Sequence, residues 1–131
     1  VGVMTVVING EVAKSEYKKF IIRTQTGAND TGALEEVLSR RFRHTEWGLP
    51  HLVVVDGSTA QINVAKRVLD RYQFDIPIVS VVKDDRHKAK AIMNNEALAK
   101  AHKKSIILAN NEAHRFSITF HRTKRQKEFL N

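Results

Sequence analysis

Residues 52–61 read LVVVDGSTAQ, an apolar run followed by Asp56, a glycine and small polar residues. Consecutive valines are typical of a strand that is buried on both faces of a parallel sheet. Ser58 and Gln61 have the S-x-x-Q spacing of a capping box, which predicts that a helix starts directly after the strand. The stretch therefore predicts a strand-to-helix junction, with Asp56 at the carboxyl end of the strand.

The residues that follow complete a larger unit. Ile62, Ala65, Leu69 and Tyr72 recur at steps of three and four, which predicts an amphipathic helix. The next segment, FDIPIVSVVK (74–83), predicts a second apolar strand. Strand, helix and strand over this length indicate a βαβ unit with a right-handed parallel crossover, so the fold class is α/β.

Upstream of this unit, VGVMTVVING (1–10) predicts a strand that ends in an Asn9-Gly10 hairpin turn, because both residues tolerate positive φ. SEYKKFIIRT (15–24) predicts the returning strand, with Tyr17, Phe20 and Ile22 buried. A helix capped by Asp30 follows. Its inward-facing residues, at helical spacing, are predicted to be Leu34, Val37, Leu38, Arg41 and Phe42.

Downstream, KDDRHKAKAIM (83–93) predicts a basic loop or ribbon, and NNEALAKAHKK (94–104) predicts a helical turn or a mobile insertion. In the last segment, Phe116, Ile118 and Phe120 alternate like a strand, whereas Ala113, Phe116 and Phe120 fit a helix. The polar residues 110–112 and the basic end suit the dipole of a helix, so a helix is predicted there. No linker or repeat interrupts the chain, which indicates one domain over residues 1–131.

The chain has 131 residues, no cysteine and a formal net charge of +8 with a pI near 10.0. The lack of cysteine excludes disulfides and thiolate chemistry and favours a reducing cytoplasm. No apolar run reaches the length of about 18 residues that a membrane span needs. The positive charge favours a polyanion, chiefly nucleic acid. A charge that serves solubility, or a place in a ribonucleoprotein, is the alternative.

Two residues are candidates for chemistry. Asp56 lies where open parallel sheets place their functional crevice, although it could equally be a turn residue that bonds to Ser58 or Thr59. His114, in NEAHRF, is a second candidate, although a lone histidine is more often structural or solvated. Neither a G-x-G-x-x-G nor a Walker motif is present. Mg²⁺ or Mn²⁺ would suit cleavage of a phosphodiester, but two residues are too few for a complete site.

Five motifs, in order, resemble the C-terminal endonuclease domain of the UvrC family over nearly the whole chain. They are KSEYKKFIIRT, GANDTGALEEVLSRRF, LPHLVVVDGSTAQINVAKRVL, IPIVSVVKDDRHKAKAI and NEAHRFSITFHRTKR. The resemblance implies a ribonuclease H-like mixed sheet flanked by helices. It also implies Mg²⁺- or Mn²⁺-dependent incision of damaged double-stranded DNA on the 5′ side of a lesion, together with UvrB-type excision-repair partners and no membrane.

The family's catalytic set is Asp–Asp–His. By motif, Asp56 matches the second aspartate, a catalytic metal ligand, and His114 matches the catalytic histidine. Further positions match basic residues expected to contact DNA: Lys83, Arg86, Lys88, Arg115, His121 and Arg122.

The sequence also departs from the family pattern. DGSTAQ stands where the family usually has D-G-G-K-G-Q. The family's first aspartate belongs to a strand that precedes the residues matching the start of this chain. We therefore expect the chain to lack that first strand and to be inactive by itself. The alternative is a non-catalytic DNA-binding or scaffold domain of the same fold.

Overall fold

The computed structural model describes residues 2–20, 30–86 and 88–130, and only the backbone from residue 119 onwards. Within these residues, seven short strands and four α-helices follow one another. They are β1 (Gly2–Met4), β2 (Val7–Ile8), β3 (Glu11–Val12), β4 (Lys18–Phe20), α1 (Asp30–Arg43), β5 (Val53–Asp56), α2 (Thr59–Arg71), β6 (Ile78–Lys83), β7 (Ala89–Met93), α3 (Glu96–Ala101) and α4 (Lys103–Leu130). No helix in the described ranges is both long and apolar enough to span a membrane.

The central sheet has the order β5-β6-β7. β5 and β6 are parallel, with Asp56 opposite Val81, whereas β7 returns antiparallel to β6. The predicted βαβ unit is confirmed, and the basic segment after β6 forms a ribbon. The result is a mixed α/β fold of the predicted class. The expectation that the chain lacks the first strand of the family's sheet stays a prediction.

Alternation along the strands divides the core into two layers. Val53 and Val55 face α1 and α2, in a cluster that includes Leu38 and Phe42 of α1. Val54 faces the other way and packs against the cluster that contains Ile106 of α4. Because side chains alternate along a strand, Asp56 at the end of β5 lies on the same face as Val54. It therefore meets α4.

The apolar face predicted for α1 is confirmed and includes a buried arginine. Arg41 is 9% exposed, and its Nη2 donates to the Gly48 carbonyl at 2.9 Å. Its guanidinium lies over the rings of Phe42 and Trp47, 5.4 and 5.5 Å from their centroids. Burial lowers the pKa of Arg41. Ring contacts and one carbonyl thus let a cation occupy a position in an apolar row.

The N-terminal hairpin is confirmed, since Asn9 and Gly10 have φ angles of 52° and 81° and join β2 to β3. The predicted strand over residues 1–10 is divided into β1 and β2, and the strand that returns to β2 is β3, before the predicted start at Ser15. A 3₁₀ turn over Lys14–Glu16 follows, and β4 then pairs with β1. Phe20 is buried and Tyr17 half-buried, as predicted. Ile22 lies outside the described residues.

One predicted helix start is corrected. α1 is described from Asp30, and the residues before it lie outside the described residues, so the predicted cap at Asp30 stays a prediction. α4 begins at Lys103, well before the predicted polar start at residues 110–112. The reason is that Ile106 is 1% exposed and packs on the sheet, so the apolar residues before Asn110 belong to the same helix. The segment before it forms α3, capped by the side chain of Asn95.

An ion-pair cluster joins α1 to α2 and gives a pH-dependent prediction. Glu35 accepts from Arg71 at 2.8 Å and pairs with Arg67 at 3.5 Å. The hydrogen bond from Arg71 is the main reason that the pKa of Glu35 is lowered. A carboxylate with a lowered folded pKa stabilises the fold above its unfolded pKa, and this contribution disappears as pH falls through the folded pKa.

We therefore expect Glu35→Gln to reduce the free energy of unfolding at pH 7 by at most about 1 kcal/mol, because the pair is partly exposed. At pH 3 the difference from the wild-type protein should shrink. Urea unfolding at both pH values measures the difference in the free energy of unfolding between the wild-type protein and Glu35→Gln. A difference that grows toward low pH would contradict the assigned sign.

Candidate metal and nucleic-acid site

The turn between β5 and α2 is fixed without help from Asp56. The Gly57 N–H donates to the Val81 carbonyl at 3.2 Å, and Ser80 Oγ donates to the Gly57 carbonyl at 2.5 Å. Gln61 Oε1 accepts from the Ser58 N–H at 2.9 Å, which is the glutamine half of the predicted capping box. The turn is therefore held by residues other than the aspartate.

The Asp56 carboxylate faces α4 instead of its own turn. Its Oδ1 accepts from Asn110 Nδ2 at 3.2 Å and lies 3.4 Å from Lys83 Nζ. The alternative of a turn aspartate bonded to Ser58 or Thr59 is wrong. Within the described part of the chain, Oδ2 has no partner, and the side chain is 65% exposed. One oxygen is thus anchored and the other is open to solvent.

Lys83 is placed by the same alternation. Val79 and Val81 of β6 pack in the layer beside α4, so Lys83, two residues further, also lies on that face. The β6–β7 ladder shifts register between Val82 and Lys83, a type of irregularity that re-aims side chains beside functional sites. Lys83 is only 17% exposed. The structure therefore places this predicted DNA contact against the carboxylate.

His114 lies four residues after Asn110 on α4, about 6 Å along the helix axis and on the same side. It is exposed, and in the described ranges nothing bonds to its ring. The structure therefore brings the helix that carries His114 to Asp56, but no contact joins the two side chains.

Arg115 is engaged elsewhere on α4. Its Nη2 and Nε donate to Glu112 Oε2 at 2.6 and 3.0 Å. This hydrogen bonding lowers the pKa of Glu112, while burial and then Glu112 raise the pKa of Tyr17, whose hydroxyl lies 3.4 Å from the same oxygen. The Tyr17 ring also packs on Phe116. These contacts join α4 to the N-terminal segment that carries Tyr17. A DNA contact by Arg115 stays a prediction.

Two other predicted DNA contacts lie in the β6–β7 turn. Arg86 and Lys88 are exposed, and their backbone N–H groups donate to Asp84 Oδ1 at 2.8 and 3.0 Å. The turn follows Lys83 directly, so it lies at the edge of the sheet where β5 ends. The side chains of His121 and Arg122 lie outside the described residues.

The residues around Asp56 fit a hard divalent cation in part. A carboxylate oxygen without a partner is the ligand that Mg²⁺ and Mn²⁺ prefer. The neighbouring Asn110 adds a donor to Oδ1 of Asp56 but no second ligand, because its own Oδ1 is buried and has no hydrogen-bond partner among the described residues. Among the side chains that the structure describes, which end at residue 118, no group of three or more His, Cys, Asp or Glu could hold a metal. Water and phosphate oxygens commonly complete a Mg²⁺ shell that one or two carboxylates begin.

The comparison with protein families gives this geometry its context. The model of the UvrC RNase H endonuclease domain matches residues 1–123. The chain belongs to the UvrC RNase H endonuclease domain family. This membership agrees with the mixed sheet between helices. We call the junction after β5, formed by Asp56 and Gly57, the D-G turn.

The relatives are longer than this chain. UvrABC system protein C of Clostridium acetobutylicum is 37% identical over 156 aligned residues, which cover 99% of this chain and 25% of the relative. The protein of the same name from Finegoldia magna is 36% identical and covers 98% and 24%. That from Clostridium novyi is 35% identical and covers 99% and 25%. The chain spans about a quarter of the length of these relatives.

Asn110 is a site residue that the sequence analysis did not identify. It stood among polar neighbours in ANNEAHRF, and the helix was predicted to start there. The spacing of four from Ile106 is the signal that places Asn110 on the buried face. Because α4 begins at Lys103, Ile106 and Asn110 belong to the same helix and lie one turn apart on one face.

The D-G turn gives a second prediction. Gly57 has a φ of 129°, and a Cβ there would lie 2.5 Å from Gln61 Cδ. Gly57→Ala should reduce the free energy of unfolding by about 1–3 kcal/mol from backbone strain, with a further loss when Gln61 moves away from Ser58. Gly48→Ala is the matched control, because Gly48 has a φ of 73° and nothing lies within 4 Å of its Cβ position.

Urea unfolding of both variants measures the difference. The Gln61→Ala background should recover part of the Gly57→Ala loss, since it removes the clashing side chain. Equal losses for Gly57→Ala and Gly48→Ala would contradict a role of Gln61 in the turn.

Proposed function

We propose that this chain is the metal-dependent endonuclease domain that makes the 5′ incision in damaged double-stranded DNA during nucleotide excision repair. The observation that supports it best is the open Oδ2 of Asp56 in a member of the UvrC RNase H endonuclease domain family. Its partner oxygen is anchored by Asn110 and Lys83, so the free oxygen has a defined direction.

The chemistry follows from the charges at this edge of the sheet. A bound Mg²⁺ or Mn²⁺ neutralises the charge that develops on the attacking and leaving oxygens of a phosphodiester. Asp56 would hold that cation. Lys83 adds positive charge beside it, where a phosphate would approach. His114, exposed and one helical turn beyond Asn110, is the side chain that we propose for holding or moving a proton in the reaction.

The exposed cations explain how DNA would be held. Arg86 and Lys88 project from the turn beside the site, and the net charge is +8. Contacts of this type position a phosphate backbone and carry no sequence information. The relatives are named as part of a UvrABC system, so we propose that lesion choice comes from UvrA- and UvrB-type partners.

A second candidate function is DNA binding without catalysis. It is favoured by the absence of a three-ligand group of His, Cys, Asp or Glu among the described residues. The two candidates differ in their response to metal and salt. Mn²⁺-dependent nicking supports the endonuclease, whereas salt-sensitive DNA binding with no nicking in Mg²⁺ or Mn²⁺ supports the binding domain.

The experiment uses the complete protein that contains this chain, with its repair partners and a duplex that carries one lesion. We expect one nick on the 5′ side of the lesion that requires Mg²⁺ or Mn²⁺, and His114→Ala should slow it about 10²- to 10⁴-fold. His51→Ala is the matched control, because His51 is exposed before the start of β5, away from Asp56. Incision at the wild-type rate by His114→Ala would contradict the proposed role.

A further inference from the structure

Asn110 is a polar residue in a buried position, and the packing around it does not require a polar side chain there. It is 6% exposed and lies one turn after Ile106, which packs against Val79 and Val81. Nδ2 donates to Asp56 Oδ1, whereas the buried Oδ1 of Asn110 has no hydrogen-bond partner among the residues that the structure describes. A half-paired buried amide costs stability that an apolar side chain of similar size would avoid. The residue therefore points to a task outside the packing of the core.

The direction of the amide is fixed by its neighbour. A carboxylate can only accept, so the group facing Asp56 Oδ1 must be the NH₂ group of Asn110, and rotation by 180° would place two acceptors together. The same oxygen also lies 3.4 Å from the Lys83 ammonium. Both donors thus hold Oδ1, which leaves Oδ2 without a partner among the described residues, in a side chain that is 65% exposed.

We propose that Asn110 is a positioning residue for Asp56, which orients the carboxylate through Nδ2 so that Oδ2 binds a divalent cation. This inference rests on the proposed function of Asp56 and adds the residue that gives the ligand its direction. Residues that orient metal ligands in this way typically contribute 10- to 100-fold in metal affinity.

The test compares Asn110→Leu with Asn111→Leu in titrations of the protein with Mn²⁺ alone. Asn111 is the matched control, because it is the next residue of α4 and is exposed. We expect the dissociation constant for Mn²⁺ to rise about 10- to 100-fold in Asn110→Leu and to stay unchanged in Asn111→Leu. The midpoint of thermal unfolding in Asn110→Leu should be equal to or higher than that of the wild-type protein, since a half-paired polar group is removed.

A measurement on the wild-type protein needs no folded variant. The side-chain NH₂ signals of Asn110, assigned by NMR, should shift when Mg²⁺ is added, and those of Asn111 should not. An unchanged Asn110 signal, or Mn²⁺ affinity within about twofold of wild type in Asn110→Leu, would overturn the proposal. A lower unfolding midpoint together with weaker binding would also overturn it, because the amide would then be structural.

A parallel titration of Asp56→Asn separates this inference from the proposed function. Weak Mn²⁺ binding in Asp56→Asn with unchanged binding in Asn110→Leu would remove only the role of Asn110. Unchanged binding in Asp56→Asn would instead remove the metal-ligand role on which both rest.

Discussion

Asp56→Asn is expected to reduce metal-dependent incision about 10³-fold while leaving the protein folded. The substitution keeps the shape of the side chain and an oxygen that can accept from Asn110. It removes the negative charge that would hold the cation, and several kcal/mol of charge stabilisation in the transition state correspond to this factor. The rate of 5′ nicking, measured with the complete protein and its partners, gives the value.

The control for this substitution is Asp70→Asn. Asp70 is exposed near the end of α2, so the same chemical change there should leave incision unaffected. The thermal unfolding midpoint of Asp56→Asn should stay close to wild type, because its side chain is largely exposed. Incision by Asp56→Asn within tenfold of the wild-type rate would contradict a metal-ligand role.

Ile106→Ala is expected to reduce the free energy of unfolding by about 2–5 kcal/mol, the usual range for a buried aliphatic side chain truncated to alanine. Ile106 is 1% exposed and holds α4 against Val79 and Val81 of the sheet. The same helix carries Asn110 and His114 to the end of β5. Incision should therefore fall with stability, because both residues depend on the seating of the helix.

Ile118→Ala in the same helix is the matched control. Ile118 is 37% exposed, and substitutions at such surface positions usually change stability by about 0.5 kcal/mol or less. Urea unfolding of both variants tests the difference. Similar small losses for the two variants would show that Ile106 is not the residue that seats α4.

The βαβ unit could be predicted because its signals are local. The valine run before Asp56 and the S-x-x-Q spacing after it mark a strand end and a helix start within ten residues. The helical spacing from Ile62 to Leu69 then required an apolar partner layer, which the sheet provides. The same local reasoning placed Asp56 at the sheet edge, but left open whether it served the turn.

The rest of the site depends on contacts between distant segments. Asn110 and Asp56 are far apart in sequence, and the spacing of four from Ile106 indicates that Asn110 faces inward only if the helix is known to begin before Ile106. The start of α4 was predicted too late for the same reason. The polar residues 110–112 indicated a helix start, but the sequence did not show that Ile106, before them, is buried in the same helix. Lys83 was assigned to a basic loop, whereas strand alternation turns it toward Asp56.

Replacing Asp56 with cysteine tests the central claim most directly. This chain contains no cysteine, and a thiolate is a soft ligand that binds Mg²⁺ poorly but Cd²⁺ well. If Asp56 holds the cation used for incision, Asp56→Cys will be inactive with Mg²⁺ and will regain 5′ nicking when Cd²⁺ is supplied, while Asp56→Ala will not. Wild-type nicking by Asp56→Cys in Mg²⁺, or equal behaviour of the cysteine and alanine variants in Cd²⁺, would contradict the claim.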